Sequence, residues 1–381
     1  MKIYFDNAAT TRVRPETIDA MLPFLDESYG NPSGIYETSR KNRRAVEEAR
    51  EKIASAINAS PNEIFFTSGG TEADNWAIKG AAGIKGAGHI ITSNAEHHAV
   101  LHTCGYLSKR GYEITYVPVD GGGFADPDEI KKAVRPDTFL ISVMLANNEI
   151  GTVQPAAKIG AAARESGVYF HADAVAAAGH MKIDVKKMNC DMLSFSAHKI
   201  YGPKGIGALY IRNGVVIEPL LHGGAQEKNH RAGTENVAGI VGFGRAFELC
   251  VSEMESENKK AAAIRDKIVA GVMGVVLDVR YNGAKENRLP GNANFSFEYI
   301  DGEAILLALD NAGISASTGS SCATGSGEPS HVLTAIGVPD VTARGSLRIT
   351  VGRWNTEAEA DIFLRELPPI IKRLRDGSAL N

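Results

Sequence analysis

Apolar, β-branched and aromatic runs recur at residues 64–67, 89–92, 114–119, 139–145, 168–172, 192–195 and 207–211. Between most of them lie segments with helical character, at 73–82, 98–109, 127–134 and 155–166. Strands alternating with helices predict right-handed crossovers and a mostly parallel sheet covered on both faces. Ahead of this block, 17–25 reads as a helix. Residues 39–57 read as an amphipathic helix, with Ala45, Ala49, Ile53 and Ile57 at helical spacing. Residues 237–273 read as one long helix whose polar middle, 253–260, bridges two domains. Beyond it the pattern changes. Short alternating runs at 279–281, 294–299, 314–318 and 347–351, with helices at 302–311 and 356–375, read as a smaller α+β unit. The expected division is a large domain over 14–255 and a small one built from 1–13 and 256–381.

Composition sharpens this picture by exclusion. The 381 residues are 44% hydrophobic and 23% charged, as in an ordinary globular protein. A formal net charge of -4 gives no footprint for nucleic acid or an anionic membrane. No run approaches the roughly 18 apolar residues of a spanning helix. The opening residues carry no apolar signal-peptide core. Four scattered cysteines, Cys104, Cys190, Cys250 and Cys322, form no C-x-x-C pair, so a reducing cytoplasm is expected.

One stretch, residues 194–207, runs off a strand into glycine and proline and places Lys199 at the strand end, where α/β folds bind ligands. A nucleophilic lysine needs neighbours that hold it and partly desolvate it. Ser196 and His198 offer hydrogen bonds, and Lys204, inside the turn, points to solvent. The stretch reads either as a Schiff-base lysine or as a structural turn. Residues 64–74 form a strand, a glycine turn and a helix start, where backbone amides with Thr71 cradle a phosphate. The same residues also read as a capping box of Thr71 with Asp74. Asp173 closes a buried strand, where a carboxylate holds a protonated ring nitrogen or simply caps a loop. His97 follows the 89–92 strand and can stack on a planar group, move protons, or sit idle in a helix's first turn.

Cys322 lies among small residues in 315–329, a poor setting for a structural thiol and a good one for a reactive thiol that travels. Cys104, Cys190 and Cys250 read as buried. Arg348, inside an alternating strand, needs an anion, either a substrate carboxylate or a structural partner. The polar glycine-rich segment 222–234 reads as a surface loop or a dimer contact.

Together, Asp6 to Thr11, Gly30-Asn31-Pro32-Ser33, Phe66 to Gly69 with Thr71-Glu72, Glu96-His97, Asn147 to Gly151, His171-Ala172-Asp173, Ser194 to Gly207, Arg231 to Thr234 and the Cys322 loop resemble the NifS/IscS-type cysteine desulfurases of the class V aminotransferase group. The resemblance runs nearly end to end. It implies an aspartate aminotransferase-like, pyridoxal-phosphate-dependent transferase fold. Lys199 would carry pyridoxal 5'-phosphate and shuttle the Cα proton. Asp173 would pair with the pyridine nitrogen, His97 would stack on the ring, and Asn148 would contact cofactor or substrate. Gly70, Thr71, Ser196 and His198 would hold the phosphate, with Thr234 from the second subunit of a homodimer. Arg348 and Asn31 would take the carboxylate of L-cysteine. Cys322 would accept its sulfur as a persulfide and pass it to an IscU-like iron–sulfur scaffold or another acceptor.

Two departures from the family pattern stand out. Ala176 occupies the place of a glutamine that donates to the cofactor's phenolic oxygen, a bond of roughly 1.5–3 kcal/mol. The chain also ends soon after residue 378, without most of the tail that some relatives use for docking. Other readings keep the fold. One is a selenocysteine lyase or another class V enzyme. Another is a weakly active scaffold partner in which Cys322 ligates a shared [2Fe-2S] cluster.

Overall fold

The computed structural model describes residues 2–318 and 329–377, so Cys322 and the cluster-ligand reading attached to it lie outside the described residues. A seven-stranded sheet runs in the order 64–67, 207–211, 192–196, 169–173, 138–142, 89–93, 113–117. Gly207–Ile211 alone is antiparallel to its neighbours. All seven strands fall where the apolar runs predict them. Interior strands such as His89–Ser93, Thr138–Ser142 and Met192–Ser196 are buried at every position, while the edge strand Glu113–Val117 is not. Helices cover both faces, which is why the interior strands read as continuous apolar runs rather than alternating ones.

Helix Glu37–Ala56 turns Val46, Ala49 and Ile53 inward and packs on helix Val237–Ser252. The contact is close because Gly244 has no side chain. A Cβ there would stand 2.7 Å from the Ala49 Cα. The long helix expected over 237–273 is two helices, Val237–Ser252 and Met254–Val275. Glu253 leaves helical geometry at the junction (φ -104°, ψ 1°). Its carboxylate is gripped by Arg14 at 2.9 and 3.1 Å and also by Arg353. Interactions distant in sequence thus override a continuous helical pattern.

A three-stranded sheet, in the order Ser346–Thr350, Asn292–Phe297, Val279–Tyr281, carries a second apolar core. Phe295, Phe297, Leu347 and Phe363 form it together with Ile3 and Phe5 from the other end of the chain. The strand Ile3–Tyr4 runs parallel to Ile314–Ser315. The chain then crosses toward the large sheet. Asn7 Nδ2 donates to the Thr350 carbonyl at 2.7 Å, and the Ala8 amide donates to Thr350 Oγ1 at 2.9 Å. No described helix is long and apolar enough to cross a membrane.

Candidate active site

The carboxyl ends of the parallel strands open onto one cavity of about 330 Å³, a size that ligand pockets take. Register explains much of its lining. Asp173 ends its strand paired with Ser194 on the neighbouring strand, which runs on through Ser196 to Lys199 in a short 3-10 turn. Asp173 and Lys199 therefore meet at one sheet edge and line the same cavity. Lys199 Nζ donates to the Ala8 and Ala9 carbonyls, the latter at 2.8 Å.

Asp173 is 6% exposed, and Val175 N–H donates to its Oδ1 at 2.8 Å. Burial raises its pKa, while that amide and the Lys199 charge pull the other way. His97 is the N-cap of helix His98–Ser108, and its Nδ1 accepts the Ala99 amide at 3.1 Å. That bond puts the imidazole proton on Nε2. Burial, then the Lys199 charge, bring His97 down to about 4, so the ring is neutral at pH 7. His198 falls to about 4 for the same reasons and meets Thr10 Oγ1 through Nδ1 at 3.1 Å.

Gly70 and Thr71 begin helix Gly70–Lys85 beside Ser196 and His198. The helix cap is Gly69, so the capping box of Thr71 with Asp74 does not form. Instead the Glu72 carboxylate accepts the Ser68 amide at 2.8 Å and binds Arg231. A Cβ at Gly70 would come within 2.5 Å of Val175 Cγ2, so only glycine lets the backbone approach this closely. Lys204 is exposed, as its turn suggests.

Arg348 is 1% exposed and reaches the cavity from the smaller sheet. Its Nη2 donates to Asp6 Oδ1 at 2.8 Å and its Nη1 to the Asn148 carbonyl at 3.2 Å. Asn148 itself lines the cavity. Ala176 lines it too, and also borders a small adjoining cavity of about 50 Å³ shared with His180, Lys199 and Tyr201.

Two expected residues lie elsewhere within a single chain. Asn31 sits in an exposed loop, its Oδ1 accepting the Ser33 amide. Thr234 lines a separate cavity beside Glu227 and Arg231. The ends of the Cys322 loop do reach the site. Ser317 pairs with Arg348 through the backbone, Ser330 Oγ donates to Glu149, and His331 lines the cavity. Sequence reasoning gave no role to the Ala8 and Ala9 carbonyls or to Asp6, although the Asp6–Thr11 motif marked that segment.

A phosphorylated pyridine aldehyde fits these groups. Backbone amides at a helix start suit a phosphate, a buried carboxylate suits a ring N–H, a neutral imidazole offers a flat face, and a held amine suits an aldehyde.

The aminotransferase class-V family model matches residues 3–363. A cysteine desulfurase IscS of Methanosarcina thermophila is 55% identical over 381 residues, covering 99% of this chain and 94% of that one. One from Dictyoglomus turgidum is 55% identical, covering 98% of this chain and 95% of that one. Among solved structures, a NifS-like protein superimposes with a TM-score of 0.93 at 41% identity, covering 98% of this chain and all of its own. SspA in complex with cysteine gives 0.83 at 38% identity, covering 93% of this chain and all of its own.

Proposed function

Because this chain belongs to the aminotransferase class-V family and is a pyridoxal-phosphate-dependent cysteine desulfurase, we propose the following division of labour among its residues. The observation that carries it is the meeting of Lys199, Asp173 and His97 in one cavity beside the start of helix Gly70–Lys85.

Pyridoxal phosphate, when bound, supplies a carbonyl for the substrate amine and a ring that drains electron density from Cα. Lys199 is the attachment point and afterwards carries the Cα proton. Asp173 holds the ring N–H, and its negative charge keeps that proton in place. His97 covers one ring face, and its neutrality adds no cation beside Lys199. Gly70, Thr71, Ser196 and His198 hold the phosphate, with Thr234 of the second subunit. Arg348, its fork steadied by Asp6 and the Asn148 carbonyl, receives the carboxylate of cysteine. Asn31 assists.

Cys322 takes the sulfur. Its thiolate attacks the substrate sulfur, the S–S bond forms as the Cβ–S bond breaks, and Cβ gains a proton. L-Cysteine and one thiol thus become L-alanine and one persulfide. The last described residue before the loop is Thr318 and the first after it is Pro329. Four residues from Thr318 span at most about 14 Å of extended chain, which sets the reach of Cys322 from that end of the loop. An iron–sulfur scaffold is the natural recipient of the sulfur.

A homodimer accounts for the distance of Thr234 from the cavity. It also accounts for the large apolar side chains left open on one segment, Leu22, Leu25, Tyr29, Ile35 and Tyr36, of which Ile35 is 89% exposed. We place the enzyme in the cytoplasm.

The test is direct. Protein loaded with pyridoxal phosphate and given L-cysteine should release alanine and, with a reductant, sulfide. Cys322→Ala should stop both and keep the cofactor absorbance. Sulfide release at the wild-type rate by that variant would remove Cys322 from the reaction.

A further inference from the structure

One buried carboxyl has no part in the reaction described above. Asp74, in the first turns of helix Gly70–Lys85, is 1% exposed and lines the cavity alongside Asp173. Its Oδ1 has no hydrogen-bond partner. A carboxylate oxygen of Asp74, one of Asp173 and a ring nitrogen of His97 lie within 4.8 Å of one another. His171 Nε2 stands 3.6 Å from Asp74 Oδ1, beyond hydrogen-bond range. Both nitrogens of that ring are occupied, by Ser142 Oγ at 2.8 Å and by Ser194 Oγ at 3.0 Å. Burial brings His171 down to about 3, so it is neutral and gives Asp74 no ion pair.

Two carboxyl groups this close, both out of water, do not both ionise. Their surroundings decide which keeps the proton. His171 and Ser194 face the pair from the sheet, Glu96 and His97 from the segment ahead of helix His98–Ser108, and Lys199 from beyond the strand end. Lys199 and the Val175 amide favour the charged form of Asp173. Burial, Asp173 and Glu96 oppose the charged form of Asp74 and outweigh a hydrogen bond from Ser194. The negative charge therefore belongs to Asp173 and the proton to Asp74.

We propose that Asp74 is a positioning residue, a neutral carboxylic acid whose O–H donates to the Asp173 carboxylate, after a carboxyl rotation or through one water, and holds it ionised toward the cofactor's ring nitrogen. The proposal rests on the cofactor reading above and goes beyond it by pairing the two carboxyl groups.

The sign of the effect follows from the donor. A donor to a carboxylate lowers its pKa, so loss of the donor raises the Asp173 pKa. Cofactor binding requires ionised Asp173, so it weakens as pH falls through that pKa. The experiment titrates pyridoxal phosphate into apoprotein across pH by fluorescence. In Asp74→Val the acid limb of the affinity should move up by about one pH unit. In Asp74→Asn, which keeps a donor, it should stay within about 0.3 unit of wild type. An unmoved limb in Asp74→Val would overturn the proposal. So would a downward move in Asp74→Asn, since Asp74 would then carry a second charge.

Infrared spectra of the apoprotein decide the protonation state without cofactor and without the valine variant. Burial pushes Glu96 up to about 8, so it gives a protonated-carboxyl C=O band of its own at neutral pH; a second such band in wild type, missing from Asp74→Asn, is expected. Identical spectra would overturn the proposal. A wild-type protein that bound no pyridoxal phosphate would sink the cofactor reading instead, and the infrared comparison would still decide Asp74.

Discussion

Arg348 and Asp6 form an ion pair at 2.8 Å across the cavity rim, the guanidinium buried and the carboxylate 18% exposed at its side chain. The pair orients the fork that is to receive the substrate carboxylate. Asp6→Asn keeps the shape and removes the charge. A hydrogen bond to a charged group contributes about 1.5–3 kcal/mol, so KM for cysteine should rise about tenfold or more, with kcat less affected. Arg348→Lys cannot reproduce a planar fork and should cost about a hundredfold in kcat/KM. Steady-state alanine formation measures both. An Asp6→Asn enzyme that lost kcat alone would assign the pair a different task.

Three imidazoles around the site, His97, His171 and His198, are held neutral, at about 4, about 3 and about 4. The first cause in each is burial. In the unfolded chain a histidine titrates near 6.5. Between that value and the depressed one, the unfolded state binds protons that the folded state does not. Stability is therefore complete above about 6.5 and falls as the medium is acidified toward pH 4. Urea unfolding of the apoprotein at several pH values should show this, these rings taking up to about three protons on unfolding while the buried Asp74 and Glu96, whose pKa values burial raises, release theirs. His198→Gln should reduce that uptake.

Glu227 is the start of a strained turn, with φ of 43°, 58° and 67° at Glu227, Lys228 and Asn229. Three consecutive residues in this region persist only where other contacts fix them. Arg50 supplies two, at 2.8 and 2.9 Å, with both side chains 4% exposed, and the Phe66 amide adds a third at 2.9 Å. Glu227→Ala removes the two-pronged partner of the buried Arg50 guanidinium, which keeps only Glu47 at 3.2 Å and the Ile64 carbonyl, and should cost about 1.5–3 kcal/mol. Chemical denaturation measures that. The loop through Arg231 and Thr234 should also become a preferred site of limited proteolysis.

Ala176 sits where the adjoining 50 Å³ cavity meets the main one. Ala176→Gln places an amide at that junction. If it reaches the cofactor's phenolic oxygen, affinity for pyridoxal phosphate should rise about tenfold or more, as expected for one hydrogen bond to a charged oxygen. Equilibrium dialysis of the two apoproteins compares them directly.

The sheet was legible because its interior strands are buried on both faces and so read as unbroken apolar runs. The meeting of Asp173 and Lys199 was legible because they stand at the ends of two strands consecutive in the chain, which pair side by side although the connection between them, 174–191, holds turns and no helix. The break at Glu253 was not, because Arg14 and Arg353, which hold its carboxylate, come from distant parts of the chain. Asp74 was misread for a related reason. Its spacing from Thr71 matches a cap, but the helix begins at Gly70, and the fold turns the carboxyl inward beside Asp173. The Arg348–Asp6 pair spans nearly the whole chain, so no local pattern announces it.

Residues 3–9 deserve engineering caution. Within that short stretch Ile3 pairs with Ile314, Asp6 steadies Arg348, and the carbonyls of Ala8 and Ala9 receive the Lys199 amine. Protease trimming or a bulky fusion that displaced this strap would strike the carboxylate clamp and the reactive amine together. Losses that resembled two independent lesions would then have a single origin, far from either side chain in sequence.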